Sequence, residues 1–456
     1  MRHYDLAILG AGPAGMATAA TAAEAGLSVC VLDEQPHAGG QIYRDVERVA
    51  ALRGDILGKD YTRGATLTAG LRHAAITHLS GAVVWAIEHA FRISFTQGGA
   101  AAQIAAERVL LATGALERPM PLPGWTLPGV MTAGAGQILL KQSGVLAQSA
   151  VLVGSGPLLY LIAAQMVRAG VPPVAMVETQ TLDDLIRAAR HLGGALRGWR
   201  YLLKGARMLA EITSARVPRH TGATGIAIAG ESRTEAVTFT SKGRAHRIPC
   251  DTVFLHHGVV PNTQAARSLG VSHIWDRAQS CFVPSVDDWG QSDVAGVFIA
   301  GDSAGIGGAN VAESAGRMTA LKVAEELGRL SATERDRQAA PLRSARNKDL
   351  AARPFLDRAY PPHAAAVAPD DATVICRCEE VTAGDIRRYA ALGCLGPNQA
   401  KAFGRAGMGP CQGRYCGLSV SVILAQANGL TPDATGYYRI RPPIKPVTLG
   451  ELASLE

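Results

Sequence analysis

Residues 5–15 read DLAILGAGPAG, an apolar strand followed by a glycine-rich turn and the start of an alanine-rich helix. In this turn Gly10 permits a tight bend, Gly12 lets the backbone approach a pyrophosphate, and Gly15 lets the helix pack closely on the strand. The first N–H groups of the helix, together with its dipole, favour a phosphate at this end. The stretch therefore predicts a dinucleotide-binding βα unit at the start of the chain.

The acidic residue that completes this pattern comes at the end of the second strand. Residues 27–32 read LSVCVL and are followed by Asp33 and Glu34. A carboxylate at this point accepts hydrogen bonds from an adenosine ribose and disfavours a 2′-phosphate. A glycine-rich turn by itself is often only a turn, so the prediction depends on the order of strand, turn, helix, strand and acid.

A second copy of this plan begins at Ala150. Residues 150–156 read AVLVGSG, and the strand after the next helix ends at Glu178. Leu159 takes the place of the third glycine, and its large side chain should push the helix away from the strand. Two interpretations stay open: a second site, for NAD(P) or another nucleotide, or a Rossmann-like domain that has kept only its structure.

Each half ends in the same way, with alternating strands that lead into a buried strand ending in glycine, at residues 108–114 and 251–258. This repetition predicts two related domains, one inserted in the other. A further apolar strand, residues 296–300, runs into Gly301 and Asp302 and then into a glycine-rich turn. Asp302 either meets a second stretch of the same cofactor or caps the helix that follows.

Five of the eight cysteines crowd together near the C-terminus. Cys376 and Cys378 form one close pair, Cys411 and Cys416 form a second, and glycines flank the second pair. Four such thiolates can hold an iron–sulfur cluster or a zinc ion, and spacing alone does not separate these sites from free thiols. Cys394 has no close partner and is expected to be a buried apolar residue.

Three motifs, GAGPAG, LLATGALERP and VFIAGDSAG, occur in this order around the inserted GSG turn. In this arrangement the chain resembles the flavoproteins with two dinucleotide-binding domains that are related to glutathione and thioredoxin reductases. The resemblance implies an α/β fold, FAD in the first half and a pyridine nucleotide in the inserted domain. No cysteine pair lies near Gly40 and Gln41 or late in the inserted domain, so reduction of a disulfide is excluded.

The residues that this resemblance assigns to FAD come from several segments. The glycines of the first turn and Asp33 would meet the ADP portion, Gly40 and Gln41 would lie near the flavin, and Asp302 would meet the ribityl chain. The full set of expected cofactor-binding residues is Gly10, Gly12, Pro13, Ala14, Gly15, Asp33, Glu34, Gln35, Gly40, Gln41, Arg44, Ala112, Thr113, Gly114, Gly301 and Asp302.

Five further stretches, DEQPHAGGQIYR, LGKDYTRG, CRCEEVT, GMGPCQGRYC and RPPIKPVTLGELA, extend over nearly the whole chain. They resemble the FAD-containing A or α subunits of multisubunit bacterial amino-acid dehydrogenases. That family includes opine oxidases, hydroxyproline and proline dehydrogenases, and the cyanide-forming glycine dehydrogenase. The cysteine segment is similar to [2Fe-2S] domains of the bacterioferritin-associated-ferredoxin type, although its second pair is wider. The resemblance implies a [2Fe-2S] cluster on Cys376, Cys378, Cys411 and Cys416.

The same resemblance implies a division of work between subunits. An amine-oxidising flavoprotein, the β or B subunit, would take a hydride from the substrate, and this chain would pass the electrons onward. A small ferredoxin-like subunit would be a further partner. Two alternatives stay open. One is a self-contained NAD(P)H-dependent FAD and iron–sulfur reductase in which Glu178 binds the nucleotide. The other is a scaffold subunit with a structural flavin and zinc.

The expected fold is therefore α/β, with two Rossmann-like dinucleotide-binding domains, one inserted in the other as in glutathione reductase, and a small C-terminal α-rich iron–sulfur domain. The expected bounds are 1–120 and 256–330 for the FAD domain, 121–255 for the inserted domain, 331–370 for a tether, 371–425 for the cysteine domain, and 426–456 for a tail that packs on the partner.

The composition is that of an ordinary globular protein, with 48% hydrophobic and 18% charged residues. Aromatic residues make up only 5%, which argues against a base-stacking nucleic-acid surface. Neither a signal peptide nor an apolar run that could span a membrane is recognised, so a cytoplasmic protein is expected.

The segment 183–207 has helical period and carries many arginines. It forms either a solvated face or a contact with an acidic partner or with the inner membrane surface. His256 and His257 lie on a strand that leads to Gly258, and such histidines are more often structural than catalytic. No catalytic residue is therefore named.

Overall fold

The computed structural model describes residues 1–455, except for the side chain of His89. The first stretch contains β1 (Arg2–Leu9), α1 (Pro13–Glu24), β2 (Val29–Asp33), α2 (Val46–Leu57), α3 (Lys59–Thr62), α4 (Gly64–Gly70), β3 (Ile76–Ser80), β4 (Val83–Ile87), β5 (Arg92–Gln97), β6 (Ala100–Leu111) and β7 (Ala115–Glu117). The second contains β8 (Val130–Thr132), α5 (Ala133–Ser143), β9 (Ala150–Gly154), α6 (Pro157–Arg168), β10 (Ala175–Glu178), α7 (Leu182–Ala189), α8 (Leu192–Arg197), α9 (Trp199–Ser214), β11 (Arg219–His220), β12 (Thr224–Ala229), β13 (Ala236–Ser241), β14 (Arg244–Pro249), β15 (Thr252–His256) and β16 (Val259–Pro261).

The third stretch runs to the C-terminus of the described chain. It contains α10 (Gln264–Ser268), β17 (His273–Asp276), β18 (Cys281–Pro284), β19 (Val297–Ile299), α11 (Ala309–Glu326), α12 (Ala332–Leu350), α13 (Arg353–Ala359), α14 (Ala364–Val367), β20 (Val374–Cys376), β21 (Val381–Thr382), α15 (Ala383–Ala391), α16 (Pro397–Gly404), α17 (Gly417–Ala427), α18 (Pro432–Thr435) and α19 (Leu449–Leu452).

A seven-stranded sheet carries the first glycine-rich turn. Its order is β3-β2-β1-β6-β5-β4, and β19 pairs with β6. Strands β3, β2, β1, β6 and β19 are parallel, whereas β4 and β5 extend the sheet as an antiparallel ribbon. The central strands are apolar because helices and loops cover both faces of the sheet. Helices α1 and α11 cross on one face, where Thr18 Oγ1 donates to the carbonyl oxygen of Gly316 at 2.9 Å.

The second Rossmann-like unit is inserted in the first, as predicted. Its parallel sheet has the order β11-β10-β9-β15-β8, and the meander β12-β13-β14 lies beside it. The chain leaves the first unit through β7 and returns through β16, and these two strands pair with each other. The predicted α/β fold is confirmed, and it is followed by a C-terminal domain of helices α15, α16 and α17 around the β20-β21 hairpin.

The region expected to be a tether is instead mostly helical. Helix α12 covers nineteen residues, and its N-cap is Ser331, whose hydroxyl accepts a hydrogen bond from the N–H of Glu334. Alanine and arginine are strong helix formers, and this favours a helix in a segment that its prolines had suggested was extended. Among the helices of residues 1–455, none combines the length and apolar character needed to cross a bilayer.

The C-terminal tail lies against its own chain. The N–H of Ile444 donates to the carbonyl oxygen of Trp85 at 2.7 Å, and Gln412 Nε2 donates to the carbonyl oxygen of Pro443 at 2.7 Å. The N–H of Ala101 donates to Ser454 Oγ at 2.8 Å. The tail, which was expected to pack on a partner, thus joins the cysteine domain to the first half of the chain.

Candidate functional site

Asp33 fixes the shape of the first glycine-rich turn. One carboxylate oxygen accepts from the N–H of Ala11 at 2.5 Å, and the other accepts from the N–H of Gln35 at 2.7 Å. The residue is buried, and burial raises the pKa of its carboxyl group despite these two bonds. Its neighbour Glu34 has a side chain that is 47% exposed and lies 2.5 Å from Lys445 Nζ. Glu34 is therefore the more accessible carboxylate at the end of β2.

The segment around Gly40 lies against this turn. The N–H of Gly39 donates to the carbonyl oxygen of Ala11 at 2.8 Å. A Cβ placed on Gly40, whose φ is +61°, would lie only 2.8 Å from the Cα of Gly12. Because the two backbones approach so closely, only glycine fits at position 40, and the structure brings together two segments that were both predicted to bind FAD.

Two buried cations flank Gln41. Arg44 Nη2 donates to Gln41 Oε1 at 2.9 Å, and Arg44 Nε has no partner among the described residues. Lys141 Nζ donates to the carbonyl oxygens of Gln41 and Ile42, at 2.9 and 3.0 Å, and to Gln137 Oε1 at 2.9 Å. Burial lowers the pKa of Lys141 to about 7. Lys141 was not predicted as a site residue. Its only signal in the sequence is its position one turn after Gln137 in the largely uncharged helix α5.

The residues after β6 lie at the carboxyl edge of the first sheet. The N–H of Ala112 donates to the carbonyl oxygen of Leu9 at 2.9 Å. Thr113 Oγ1 donates to the carbonyl oxygen of Asn262 at 3.1 Å, and the N–H of Asn262 donates to the carbonyl oxygen of Gly114 at 3.0 Å. These bonds fix the predicted Ala-Thr-Gly segment at the edge where open parallel sheets bind dinucleotides.

Asp302 shapes the turn before α11. Its Oδ1 accepts from the N–H groups of Gly307 and Gly308, each at 2.9 Å, and Gly308 is the N-cap of that helix. Helix α11 itself has no side-chain cap, so these bonds fix the glycine-rich turn and not the helix end, and the cofactor-binding role of Asp302 stays a prediction. A Cβ on Gly301 would lie 2.8 Å from the Cβ of Ala14, so this segment packs directly on the start of α1.

The N-terminus of α1 is suited to an anion. Its N-cap, Gly12, provides no side-chain cap, and Pro13 lies in the first turn. The first N–H groups of the helix are therefore available to a phosphate. A Cβ on Gly15 would lie 1.9 Å from the carbonyl oxygen of Gly10, which explains why glycine is needed there. Together with the Gly40 and Asp302 segments, these residues fit an extended dinucleotide such as FAD.

The second glycine-rich turn is arranged differently. Ser155 is buried, its N–H donates to the carbonyl oxygen of His256 at 2.8 Å, and its hydroxyl lies 3.5 Å from the carbonyl oxygen of Pro361. Leu159, in place of the third glycine, is fully buried in the core of the inserted domain. Glu178 is buried as well, and both of its oxygens accept from Arg219 at 2.9 Å. Its carboxylate is thus already paired.

A segment of the chain itself covers this second turn. The ring of Tyr360 packs edge-on against that of Tyr160, with centroids 6.0 Å apart. The N–H of His363 donates to His257 Nδ1 at 3.1 Å, and His257 Nε2 lies 2.7 Å from the carbonyl oxygen of Pro119. Because Nδ1 accepts, Nε2 carries the proton, and burial lowers the pKa of His257 well below its usual value. His257 is therefore a neutral structural histidine, as expected.

His256 is also engaged by its neighbours. Its Nδ1 lies 2.7 Å from Glu117 Oε1, and Glu117 Oε2 accepts from the N–H of Gly134 at 2.8 Å. The pair lies where β7, β15 and the start of α5 meet, between the two Rossmann-like units. These contacts give His256 a structural role in joining the units.

The four predicted cysteines lie in two contacting pairs. Cys378 Sγ and Cys411 Sγ are 3.8 Å apart, and the thiols of Cys376 and Cys416 are hydrogen-bonded to each other. The bond from Cys416, followed by three backbone N–H groups, lowers the pKa of Cys376 to about 5. Cys394 is buried in the core of this domain, which confirms its expected role.

The turns around these cysteines are tightly packed. A Cβ on Gly409 would lie 2.2 Å from the Cβ of Cys378, so a larger residue at that position would separate the two cysteine segments. Within residues 1–455, no group of three or more His, Cys, Asp or Glu side chains is placed so that it could hold a single metal ion. The closest contacts join Cys378 with Cys411 and Cys376 with Cys416, and the thiols of the two pairs also interact electrostatically with each other.

The cysteine domain is docked on the flavoprotein half. Trp125 Nε1 donates to the carbonyl oxygen of Val374 at 2.7 Å, just before the first cysteine pair. The guanidinium of Arg267 stacks on Tyr437, 4.2 Å from the ring centroid, and on Phe282 at 5.0 Å. These aromatic and cation–π contacts hold the cysteine pairs beside the strands that return from the inserted domain.

Comparison with known proteins extends these observations. The family model for pyridine nucleotide-disulphide oxidoreductases matches residues 4–318, and that for the sarcosine oxidase A3 domain matches residues 371–455. The chain is 43% identical to the A subunit of opine oxidase from Rhizobium meliloti, over 99% of this chain and 88% of that protein. It is 31% identical to the HcnB subunit of hydrogen cyanide synthase from Pseudomonas aeruginosa, over 98% of both chains.

A solved structure shows the same fold over the whole length. The crystal structure of L-proline dehydrogenase from P. horikoshii superposes with a TM-score of 0.73 and covers 99% of this chain and 79% of that one, at 18% identity. The resemblance inferred from the motifs is confirmed by these matches. The chain therefore belongs to the family of FAD-containing oxidoreductase subunits that includes the A subunit of opine oxidase and the HcnB subunit of hydrogen cyanide synthase.

Proposed function

We propose that this chain is the electron-transferring flavoprotein subunit of a heteromeric dehydrogenase. The complex oxidises an amino acid or a secondary-amine derivative of the opine, proline, hydroxyproline or glycine type. A partner flavoprotein subunit removes the hydride, and this chain passes the electrons to an acceptor. The observation that carries the proposal is the docking of two cysteine pairs directly on an FAD-type fold in one chain.

FAD, when bound, accepts electrons in pairs and releases them one at a time. The N-terminus of α1 would hold its pyrophosphate. Glu34 contacts Lys445 but is 47% exposed, unlike the fully buried Glu178. It would bind the adenosine ribose because the oxygens of Asp33 already accept from the backbone. Asp302 fixes the glycine-rich turn before α11 by accepting from the N–H groups of Gly307 and Gly308. Arg44 and Lys141 place positive charge beside Gln41 at the flavin end of the site.

The cysteine pairs support a [2Fe-2S] cluster more directly than zinc. Such a cluster takes two thiolates on each of two irons, so it requires two pairs of sulfurs, whereas a structural zinc ion takes all four around one centre. The contacting pairs are Cys378 with Cys411 and Cys376 with Cys416, which assigns one sulfur from each turn to each iron. An iron–sulfur centre carries one electron at a time and would relay the electrons that FAD releases.

The alternative of a self-contained NAD(P)H reductase has less support. A nucleotide at the second turn would need the N-terminus of α6 and a free carboxylate at the end of β10. Ser155 lies beneath Pro361, and Glu178 is paired with Arg219. The chain therefore receives its electrons from a partner protein and not from a pyridine nucleotide.

An activity assay with and without the partner tests this proposal. The full chain, purified alone, should not reduce a dye when opines, proline, hydroxyproline or glycine are added. Co-purification with its partner subunit should restore dye reduction with one of these amines. Amine oxidation by the isolated chain would show that the substrate site lies here, and the proposal would be wrong.

A further inference from the structure

Helices α7, α8 and α9 leave a large apolar surface uncovered. Seven large apolar side chains on these helices are between 39% and 72% exposed. We call this the outer face, and its apolar residues are Leu182, Leu185, Ile186, Leu192, Leu196, Trp199 and Leu203. They lie within 22 consecutive residues, and no other segment of the described chain exposes as many.

The spacing of these residues shows that the exposure is not scattered. Leu182, Leu185 and Ile186 follow the i, i+3, i+4 pattern on α7. Leu192 and Leu196 are four apart on α8, and Trp199 and Leu203 are four apart on α9. Each helix therefore turns one apolar face outward.

The inward faces of α7 and α8, and the N-cap of α9, carry small residues, whereas the later part of α9 buries Met208 and Ile212. Ala188, Ala195 and Gly198 are buried, and a Cβ on Gly198 would lie 2.8 Å from the Cβ of Ala352. Core packing normally buries the large apolar side chains of a helix and leaves small or polar ones outside. Here the large side chains point away from the protein, which indicates that another apolar phase covers them.

The exposed charges between these side chains are mainly positive. Arg190, Arg197, Arg200 and Arg207 are exposed and form no ion pair within the described residues. Between residues 182 and 207, all of which the structure describes, Asp183 is the one exposed carboxylate. An apolar stripe with a Trp, bordered by arginines, is the arrangement of helices that lie in the interface of an anionic bilayer.

We propose that the outer face of α7, α8 and α9 rests on the anionic surface of a lipid bilayer. The apolar side chains enter the boundary between headgroups and acyl chains, and the arginines contact the lipid phosphates. The exposed arginines have no carboxylate partners among the described residues of this face and complement lipid phosphates, which favours the bilayer. Arginine and tryptophan are also enriched at protein interfaces, so the experiment below includes the partner subunit as a competing occupant. This inference is independent of which amine the complex oxidises.

Vesicle sedimentation with the full chain tests the proposal. The protein should pellet with vesicles of phosphatidylcholine and phosphatidylglycerol but not with phosphatidylcholine alone, and added salt should weaken the binding. The double variant R197Q/R200Q should bind about 25-fold more weakly, at about fivefold for each arginine. I186S/W199S should lose the binding that remains at high salt.

Matched controls distinguish binding through the outer face from nonspecific adsorption to vesicles. L52S removes an equally exposed apolar side chain on α2, and R233Q removes an exposed arginine elsewhere; both should bind like the wild-type chain. The fluorescence of Trp199, isolated by comparison with W199F, should shift to the blue on binding. Failure of the wild-type chain to bind anionic vesicles would overturn the proposal. So would unchanged binding by the variants, or protection of Trp199 by the partner subunit in the absence of lipid.

Discussion

The sulfur atoms of Cys378 and Cys411 lie 3.8 Å apart, although 33 positions separate the two residues in the sequence. A tetrahedral metal at about 2.3 Å from its thiolates places neighbouring sulfurs about 3.8 Å apart. The fold therefore holds this pair at the separation that one tetrahedral metal ion, iron or zinc, would impose, and Gly409 packs against the Cβ of Cys378.

The first prediction concerns the ligands of the cluster. C378S or C411S should remove the iron–sulfur absorption and the paramagnetic signal of the reduced protein, because each replaces one of the two thiolates on one iron. The flavin spectrum should remain, since the FAD residues lie in another domain. Metal analysis of the wild-type chain should give about two irons per chain, as a [2Fe-2S] cluster requires.

C394A is the matched control for these variants, because Cys394 is buried in the same domain without a sulfur partner. It should keep both iron and signal. If metal analysis instead gave about one zinc per chain, with no absorption beyond that of the flavin, the cluster assignment would have to be abandoned.

The second prediction separates the roles of the two acidic residues after β2. D33A should destabilise the protein by about 2 to 6 kcal/mol, because it leaves the N–H groups of Ala11 and Gln35 without partners in a buried turn, at about 1 to 3 kcal/mol for each. E34Q should leave the unfolding free energy nearly unchanged and weaken FAD binding about tenfold. Chemical denaturation and flavin fluorescence titration measure the two effects. Equal loss of stability in both variants would contradict the assignment.

The third prediction concerns Lys141 and pH. Burial holds its pKa near 7 in the folded chain, whereas an unfolded lysine titrates near 10.4. Between these values the unfolded state binds more protons than the folded state, so this residue makes stability rise with pH, by up to about 1.4 kcal/mol per pH unit. Unfolding free energies of the wild type and K141M at pH 7, 8 and 9 check this. The unfolding free energy of the wild type minus that of K141M should increase as the pH rises. If this difference stayed constant, the lowered pKa of Lys141 would be refuted.

The fourth prediction concerns the covered second turn. NADH or NADPH, mixed anaerobically with the full chain, should not bleach the flavin, because Ser155 is covered and Glu178 is paired. Dithionite should bleach it in the same cuvette and serves as the control. Rapid flavin reduction by either nucleotide would mean that the segment 360–363 moves aside, and the reductase alternative would then be favoured.

Much of the fold could be predicted from the sequence because its signals are local. The turn at Gly10 and the repeat at Gly154 are encoded in consecutive residues, and their order alone predicts an inserted Rossmann-like unit. The pairing of Cys376 with Cys416 could not be predicted, because it depends on how two distant turns pack.

Other features could not be predicted, for physical reasons of their own. The role of Asp33 depends on where its two oxygens point, and the choice between Asp33 and Glu34 needs the burial of each side chain. Lys141 lies on the inserted domain yet contacts Gln41, a contact between domains that no local pattern encodes. Helix α12 lies in the segment expected to be a tether; it contains Pro341, which disfavours a helix, but its alanines and arginines favour one.

The central claim is that electrons enter this chain from a partner subunit. The most direct test is to add the amine substrate anaerobically to the chain alone and to the complex, and to record the flavin absorption and the iron–sulfur signal. The account predicts that both centres of this chain become reduced only when the partner is present. Reduction of the isolated chain by the amine, or a complex in which the substrate reduces the partner but leaves this chain oxidised, would contradict it.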